Sequence, residues 1–400
     1  MNVFWIFALL LLPLMGVSYV AWHVWVLLPL SGVWRTVVVG LGFLLFSTLF
    51  LDFSGQLDRF PMPVARVLYN IGTSSLMVML YLVMLFLVMD VGRLFRLVPR
   101  NLLYDNWLTA ACFFVLLFSV FLYGRIRYDR KVRVPLELRS EKPLPREYRV
   151  VMASDLHLGY HNGRKELARW VDMMNAEHPD FILIAGDIID ISVRPLLAEN
   201  MAAEFHRLEA PVYACLGNHE YYADREAKRR VGKTALDFYK AAGICLLRDE
   251  EVMIDSSLVI IGRDDRMNHR RKLLAQLLHA PEGESPKAPP ILGRAKRRPT
   301  AVRLRGRDMG RGAYTILLDH QPHDLAETEM AGIDFQLSGH THRGQVWPIS
   351  WITDRMYECS WGSHRRGHTQ YYVSSGLGIW GGRFRIGTQS EYIVATISNQ

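Results

Sequence analysis

The sequence predicts an α/β domain that follows about four membrane-spanning helices. Half of the 400 residues are hydrophobic, and residues 1–124 are far more apolar than the remainder. From Tyr148 onward, short apolar runs end in polar clusters and alternate with helical stretches, a pattern typical of a largely buried sheet. We therefore predict a transmembrane anchor over residues 1–124, a charged juxtamembrane linker over 125–146 and the α/β domain over 147–400.

Four apolar segments make up the predicted anchor: residues 3–22, 37–51, 71–89 and 107–123, with the second continuing a run that starts near Val33. Each is close to the roughly 20 residues that a helix needs to cross the hydrocarbon core. A signal peptide is the alternative for the first segment, but no Lys or Arg precedes Arg35 and three further segments follow. We therefore expect an integral membrane protein with a retained first helix.

The basic residues predict that the α/β domain lies in the cytoplasm. With four spans, seven basic residues lie on the side of both termini and four on the other side, and the side richer in Lys and Arg faces the cytoplasm. The seven are Arg59, Arg66, Arg125, Arg127, Arg130, Lys131 and Arg133; the four are Arg35, Arg93, Arg96 and Arg100. One span more or fewer would reverse this assignment. His23, Asp52 and Asp90 lie near segment ends, which indicates an anchor rather than a transporter.

Polar clusters follow five of the predicted strands. The strands are residues 149–153, 181–185, 212–216, 258–262, 314–318, 335–337 and 371–373. The clusters are Asp155-Leu156-His157, Gly186-Asp187-Ile188-Ile189-Asp190, Gly217-Asn218-His219-Glu220, Asp319-His320 and Gly339-His340-Thr341-His342. Turn chemistry explains Asp and Asn at such positions, but it does not require histidine. Because ligands of α/β sheets bind where strands end in loops, the clusters indicate one site.

The residue types of these clusters predict a pair of divalent metal ions. Carboxylate, imidazole and amide ligands without thiolate suit manganese, iron or zinc, of which we favour manganese. The ligands are too many for one ion and about right for two. A carboxylate that bridges two ions about 3.5–4 Å apart makes a site for phosphoryl chemistry. The four cysteines have neither zinc-finger nor disulfide-framework spacing.

The five clusters resemble, in composition and order, the motifs of the calcineurin-like metallophosphoesterases: Asp-x-His, Gly-Asp-x-x-Asp, Gly-Asn-His-Glu, a lone His and Gly-His-x-His. The resemblance covers residues 148–400. It implies a four-layer αββα sandwich with a dimetal site at the strand ends. It also implies two ligand sets that share Asp187: Asp155, His157, Asp187 and His342 for one ion, and Asp187, Asn218, His320 and His340 for the other.

The same resemblance implies that His219 protonates the leaving oxygen rather than binding metal, and that Asp190 orients His219. The C-terminal part is similar to the bacterial membrane-associated branch of the superfamily, which places the protein in a bacterial cell or inner membrane. The similar residues are Ser374-Ser375-Gly376-Leu377-Gly378 and the later Arg383, Arg385 and Glu391, with Ser390 where that branch has proline.

We therefore predict a membrane-anchored phosphodiesterase that hydrolyses a phosphoester through a hydroxide bridging two metal ions. The alternatives are a phosphomonoesterase, a pyrophosphatase acting on a nucleotide-linked lipid precursor, and a non-catalytic metal-bound scaffold. A scaffold needs the ligands but no proton donor, so His219 favours an enzyme. The anchor suggests a lipid-linked substrate; the sequence does not specify the substrate or the oligomeric state.

Residues 263–312 form a predicted basic insertion before the strand that leads to His320. Its prolines argue against a long helix, so we expect a solvated loop, with binding to anionic lipid headgroups as the alternative. Its basic residues are not interleaved with aromatic ones, so no nucleic acid partner is expected. Within it, residues 270–279 predict a short helix that packs its leucines on the domain, with a position on the membrane surface as the alternative, and Asp264 and Asp265 are expected to be structural.

Overall fold

The computed structural model describes residues 3–230, 234–255, 257–278, 301–302 and 312–400. The chain divides into two compact units. The first consists of Met1–Arg125 together with Gly381–Arg383, and the second of Ile126–Trp380 together with Phe384–Gln400. The boundary therefore lies just after the last apolar segment, about twenty residues before the start of the predicted α/β domain.

The first unit is helical. Its helices are α1 (Val3–Leu27), α2 (Gly32–Ser47), α3 (Leu49–Phe53), α4 (Met62–Leu94) and α5 (Trp107–Asp129), the last of which continues into the second unit. Within the described residues, three stretches are long and apolar enough to cross a membrane: Gly32–Phe53, Met62–Leu94 and Trp107–Asp129. The first predicted span falls in α1, whose side chains are described only from Leu14 onward, so that prediction lies partly outside the described residues.

A polar contact joins the last turns of α1 and α4. The imidazole of His23 is 1% exposed, and its Nε2 lies 2.9 Å from Oδ2 of Asp90. The hydroxyl of Tyr19 donates to the same carboxylate oxygen, and the ring of Phe86 stacks on His23 at 4.5 Å. Buried polar side chains in helical bundles are stable when they are paired in this way. The contact pairs two residues that the sequence places near segment ends.

The second unit contains two mixed sheets, counted over the described residues. Its strands are β1 (Lys131–Ser140), β2 (Tyr148–Ala153), β3 (Phe181–Ala185), β4 (Val212–Cys215), β5 (Cys245–Leu246), β6 (Glu250–Ile254), β7 (Leu258–Gly262), β8 (Ala301–Val302), β9 (Tyr314–Leu318), β10 (Phe335–Ser338), β11 (Gly362–Arg366), β12 (Thr369–Val373) and β13 (Ser390–Asn399). The strand orders are β1-β13-β2-β3-β4-β5 and β11-β12-β10-β9-β7-β6-β8.

Helices lie between these strands. They are α6 (Arg164–Ala176), α7 (Arg194–Ala198), α8 (Ala202–Phe205), α9 (Asn218–Arg230), α10 (Ala235–Ala241), α11 (Leu274–Leu278), α12 (Leu325–Met330) and α13 (Ile349–Met356). Adjacent side chains of a strand point to opposite faces of its sheet. Accordingly, Val150 and Met152 of β2 face a core shared with the second sheet, whereas Val151 and Ala153 face a core shared with α6 and α10.

The outer face of the second sheet is also covered. Val259 and Leu317 pack there against Leu274 and Leu277 of α11. The layer order is therefore helix, sheet, sheet, helix, which confirms the predicted αββα sandwich. Leu274, Leu277 and Leu278 therefore pack on the domain as predicted, whereas Leu273 is exposed. The basic stretch that follows, residues 279–300 and 303–311, lies outside the described residues, so its prediction as a loop or a lipid-binding arm stays a prediction.

The segment predicted as a linker contains a strand in the structure. Residues 131–140 form β1, which pairs in parallel with β13 along its whole length, from Lys131 opposite Ser390 to Ser140 opposite Asn399. Leu138 and Ser140 are buried, and side chains alternate between the two faces. Pro135 is tolerated because β1 lies at the sheet edge, where a strand needs hydrogen bonds on one side only. The charged side chains of residues 131–140 therefore lie on the outward face of a strand.

Candidate metal centre

Parallel strands deliver the predicted ligands to one place. In the first sheet, β2, β3 and β4 run parallel and are followed by Asp155, Asp187 and Asn218. In the second sheet, β9 and β10 run parallel and are followed by the three remaining histidine positions, His320, His340 and His342. Parallel strands end at the same sheet edge, so five loops converge because of the topology alone.

Five of the seven predicted ligands have left-handed backbone conformations. The φ values are 53° for Asp155, 45° for His157, 52° for Asp187, 71° for His340 and 47° for His342. Non-glycine residues rarely adopt these values, and such strain persists where the surrounding structure imposes it, commonly at functional sites. Close packing helps to impose these conformations, since a Cβ atom on Gly217 would lie 2.1 Å from Oδ1 of Asp187. The loops therefore hold these side chains in fixed directions.

The first group of side chains is Asp155, His157 and His342, all buried. Nε2 of His157 lies 3.0 Å from Nε2 of His342, which lies 3.5 Å from Oδ1 of Asp155. Ligand atoms bound at about 2.1 Å to one ion are about 3.0–3.4 Å apart. Oδ1 of Asp155 also lies 3.8 Å from Nε2 of His157, so two of the three distances are slightly longer than this range, and the three atoms approximate the ligands of a single ion.

The second group is Asp187, His320 and His340, with Asn218 beside it. Nε2 of His320 lies 3.1 Å from Oδ2 of Asp187, and Nδ1 of His340 lies 2.9 Å from Oδ1 of Asn218. Oδ2 of Asp187 also lies 3.7 Å from Nε2 of His157 in the first group. Asp187 therefore stands between the groups, the position that a bridging carboxylate requires.

Hydrogen bonding prepares His320 to bind a cation. Its Nδ1 lies 2.7 Å from the carbonyl oxygen of Ala185 and must donate to it, since a carbonyl oxygen can only accept. In the neutral ring, Nε2 then carries a lone pair. This buried nitrogen makes no hydrogen bond, and it faces Asp187. Metal-binding histidines usually donate a hydrogen bond from the ring nitrogen that does not bind the metal.

The electrostatics of the site favour bound positive charge. Burial alone would lower the pKa of His157, but Asp155, Asp190 and Asp187 outweigh it and raise the pKa to about 10. Burial lowers the pKa of His340 to about 4 and that of His342 to about 3, so both are neutral and able to act as ligands. The negative charge of the carboxylates that holds a proton on His157 also favours the binding of a divalent cation. The residues present therefore fit two metal ions.

His219 and Asp190 lie beside the two groups. Oδ1 of Asp190 is 3.3 Å from Nδ1 of His219 and 3.4 Å from Nδ1 of His157. Asp190 is buried, whereas the His219 side chain is 13% exposed. The ring of His219 meets that of His157 edge-on at 4.5 Å. His219 also lies within ligand distance of His157 and Asp187, so proximity alone does not distinguish a metal ligand from a proton donor.

Two buried residues at the site had no role assigned from the sequence. Glu220 accepts hydrogen bonds from the backbone N–H groups of Asp187, Ile189 and Gly217, and so ties two ligand loops together. Burial and the nearby Asp187 raise the pKa of Glu220 to about 7. Arg385 is fully buried, and its guanidinium donates to the carbonyl oxygens of His342 and Gly378. The sequence shows that both residues are charged, but it does not show which backbone groups they contact.

The last turn of α5 also supports a ligand loop. Tyr128 is 1% exposed, and its hydroxyl donates to Oδ1 of Asn162. The amide of Asn162 donates in turn to the carbonyl oxygens of Leu156 and His157, at 3.1 Å each. The ammonium of Lys131 lies 3.6 Å from the centre of the Tyr128 ring. The loop that carries His157 therefore depends on a residue well before the predicted start of the domain.

Comparison with known proteins agrees with this geometry. The calcineurin-like phosphoesterase family matches residues 148–344. An uncharacterized metallophosphoesterase of Campylobacter jejuni is 27% identical over 72% of this chain and 69% of its own length. A transmembrane protein with metallophosphoesterase domain from Danio rerio is 30% identical over 67% of this chain and 58% of its own length, so the chain spans just over half of that relative.

An uncharacterized metallophosphoesterase of Aquifex aeolicus is 29% identical over 66% of this chain and 90% of its own length. The family match extends over the part of the chain that carries the two ligand groups. The family uses a dimetal centre, and the Asp and His groups described above are clusters that could hold metal ions. The two-sheet fold and the family match over both ligand groups together show that the chain contains a calcineurin-like metallophosphoesterase domain.

Proposed function

We propose that the protein is a membrane-anchored, metal-dependent phosphodiesterase. The observation that carries this proposal is the convergence of two ligand groups on the shared Asp187. In this proposal, Asp155, His157, Asp187 and His342 bind one ion, and Asp187, Asn218, His320 and His340 bind the other. When bound, a pair of divalent ions supplies an activated water and polarises the phosphoryl oxygen. Manganese is the first choice, since the ligands are oxygen and imidazole atoms.

His219 acts as the proton donor in this proposal. Its side chain is 13% exposed, whereas those of Asp155 and His157 are fully buried, so a substrate can reach it. Oδ1 of Asp190 lies 3.3 Å from Nδ1 of His219 and would orient the ring, so that Nε2 is left to protonate the leaving oxygen. Burial would raise the pKa of Asp190, but the contacts with His157 and His219 outweigh this and keep it ionised. Asp190 thus positions the proton donor.

The apolar helices support attachment to a membrane, and two relatives are named transmembrane proteins. We infer that the domain faces the cytoplasm of a bacterial cell and acts on a lipid-linked phosphoester, in keeping with the excess of basic residues beside the predicted spans. A substrate held in the bilayer would be concentrated at an enzyme held in the same bilayer.

The first test is metal-dependent hydrolysis by the full-length chain. The protein is stripped of metal, supplied with manganese, zinc or iron, and assayed on bis-p-nitrophenyl phosphate beside p-nitrophenyl phosphate. Turnover that returns with metal and prefers the diester supports the proposal. Preference for the monoester would replace it with a phosphatase, and bound metal without turnover of either ester would contradict an enzyme of this class.

The role of His219 is tested by His219→Ala. Loss of a general acid should lower turnover by about 10²–10⁴-fold while both metal ions stay bound. Metal content is measured by atomic emission and turnover on the diester. His206→Ala is the matched control, since His206 is exposed and its Nε2 contacts only the carbonyl of Ala241 among its recorded partners. Loss of metal from His219→Ala would make His219 a ligand instead.

A further inference from the structure

An apolar surface is exposed on α13 and the residue before it. We name the side chains of Trp347, Trp351, Ile352 and Met356 the α13 surface. They are 39%, 65%, 52% and 67% exposed. The rings of Trp347 and Trp351 meet edge-on at 5.3 Å, so the apolar area is continuous. Large apolar side chains grouped on a surface mark an interaction site more often than single exposed ones do.

Exposed apolar side chains elsewhere in the second unit are scattered. Over its described residues, the other large ones are Ile126, Tyr222, Leu236, Leu273 and Met330. These five come from separate segments of the chain, whereas the four of the α13 surface fall within ten consecutive residues. The concentration of apolar side chains therefore belongs to this helix and is not a general property of the domain.

Both ends of α13 adjoin the metal centre. At its start, a Cβ atom on Gly344 would lie 2.5 Å from the backbone of Ile349 and Ser350, so the helix packs tightly on the turn that contains His342. At its end, the ring of Tyr357 lies 6.4 Å from the ring of His340. The α13 surface thus lies on a helix held at each end by a segment that carries a proposed ligand.

The chemistry of this surface matches the interfacial layer of a lipid bilayer. Tryptophan favours that layer because its ring is apolar and its N–H is polar, and flexible Met and branched Ile side chains suit acyl chains. Arg355, exposed on the same helix, adds a cation where anionic headgroups lie. The chain itself supplies attachment to a bilayer, because its apolar helices end at Asp129, which leaves one residue before β1 begins at Lys131.

We propose that the α13 surface enters the bilayer interface and admits a phosphoester whose apolar part stays in the membrane. This inference rests on the proposed phosphoesterase function for its substrate, and on the apolar helices for its membrane. The substrate class is a lipid with a phosphodiester in its headgroup. The lipid phosphate reaches the metal centre at the membrane surface, while its acyl chain contacts Trp351, Ile352 and Met356.

The docking step is tested without catalysis. Full-length protein carrying Trp351→Cys is labelled with a polarity-sensitive fluorophore in a Cys112→Ser, Cys245→Ser background, since Cys215 and Cys359 are buried. It is placed as single copies in nanodiscs with or without nitroxide-bearing lipid. We expect blue-shifted emission that the nitroxide lipid quenches. The same label at Leu236→Cys, also exposed and apolar, should remain water-like and unquenched.

Two fluorescence results would overturn the docking proposal. Water-like emission at position 351 would show that no bilayer contacts the surface. Blue-shifted emission without nitroxide quenching would show that protein covers it, either another part of the chain or a second polypeptide. Neither result depends on turnover, so the docking proposal can fail while the proposed phosphoesterase function stands.

The substrate step is tested with two esters that share a leaving group. In the same nanodiscs, p-nitrophenyl hexadecyl phosphate resides in the bilayer and p-nitrophenyl methyl phosphate remains in water. The triple variant Trp351→Ser, Ile352→Ser, Met356→Ser should lose about tenfold or more on the hexadecyl ester, because contact with the acyl chain is lost. Its turnover of the methyl ester should stay unchanged, and Leu236→Ser should alter neither.

Equal loss on both esters, or no loss on either, would overturn the inference about substrate class. A wild-type protein that hydrolysed neither ester with any metal would contradict the proposed function. In that case the fluorescence measurement would still decide whether the α13 surface meets lipid. The two hypotheses therefore fail through separate observations.

Discussion

Two clusters of buried carboxylates follow strands of the second unit, and they differ in the cations that surround them. Over the described residues, the charged partners recorded for Asp155 and Asp187 are histidines. The other cluster follows β7 and β9, and its carboxylates meet arginines. Arg248 donates to Asp264 at 2.6 Å, and Arg263 and Arg271 donate to Asp319 at 3.3 and 2.9 Å.

The difference separates a metal site from a structural ion-pair network. A guanidinium stays charged at all ordinary pH values and neutralises its carboxylate permanently. An imidazole can release its proton and bind a metal ion instead. Carboxylates among histidines therefore keep a negative charge available for a cation, and carboxylates among arginines do not. This comparison also accounts for Asp264, which bonds to Tyr221, Arg248 and Asn268 rather than to a ligand loop.

The largest expected effect is that of Asp187→Asn in the histidine cluster. The amide keeps the shape of the side chain but removes the charge that both proposed ions share. We expect metal content and diester hydrolysis to fall together, hydrolysis by about 10³-fold, since the several kcal/mol that metals supply correspond to such a factor. Metal analysis and kinetics on one preparation check this. Full metal content in Asp187→Asn would remove Asp187 from the centre.

A smaller effect, and of another kind, is expected for Arg263→Met in the arginine cluster. The Arg263 side chain is 4% exposed and pairs with Asp319 and Glu327. Breaking a buried pair costs about 3–5 kcal/mol, which lowers the melting temperature by roughly 6–15 °C in a unit of this size. Metal content should not change. Loss of metal with an unaltered melting temperature would erase the distinction between the clusters.

The smallest effect is expected for Glu251, a carboxylate of β6 that has neither histidine nor arginine as a recorded partner. Burial raises its pKa from 4.5 to about 7, and Lys272 opposes this. The folded state therefore holds the proton more tightly, and this stabilisation, complete below pH 4.5, is lost as the pH rises through about 7. Glu251→Gln should raise the melting temperature at pH 8 and change it less at pH 5. An equal change at both pH values would contradict this assignment.

The sequence predicted the site more completely than the chain segments that support it. The ligands were predicted from the ends of strands and from the Asp, Asn and His residues that follow them. Both features can be read from local sequence. Glu220 and Arg385 act through backbone groups of other loops, and no local pattern shows those partners. The extent of the helical unit was predicted from the lengths of its apolar segments alone, which can also be read from local sequence.

β1 was missed for a different reason. Val132, Val134, Leu136 and Leu138 alternate with polar residues, which is the period of a strand. The charges and Pro135 instead suggested a linker, because a proline cannot donate in the middle of a sheet. Only the position of β1 at the sheet edge permits it. The pairing of residue 131 with residue 390 could not be predicted from local sequence.

The join between α5 and β1 bears on how the second unit can be separated from the helices that precede it. Proteases cut exposed, unstructured chain, and a single residue between a helix and a paired strand offers almost none. A cut later in the chain would leave β1 and Tyr128 behind with the helices, and would expose β13 as a sheet edge. Proteolytic release of an intact second unit is therefore not expected. A recombinant form of the second unit should begin near residue 126 rather than 147.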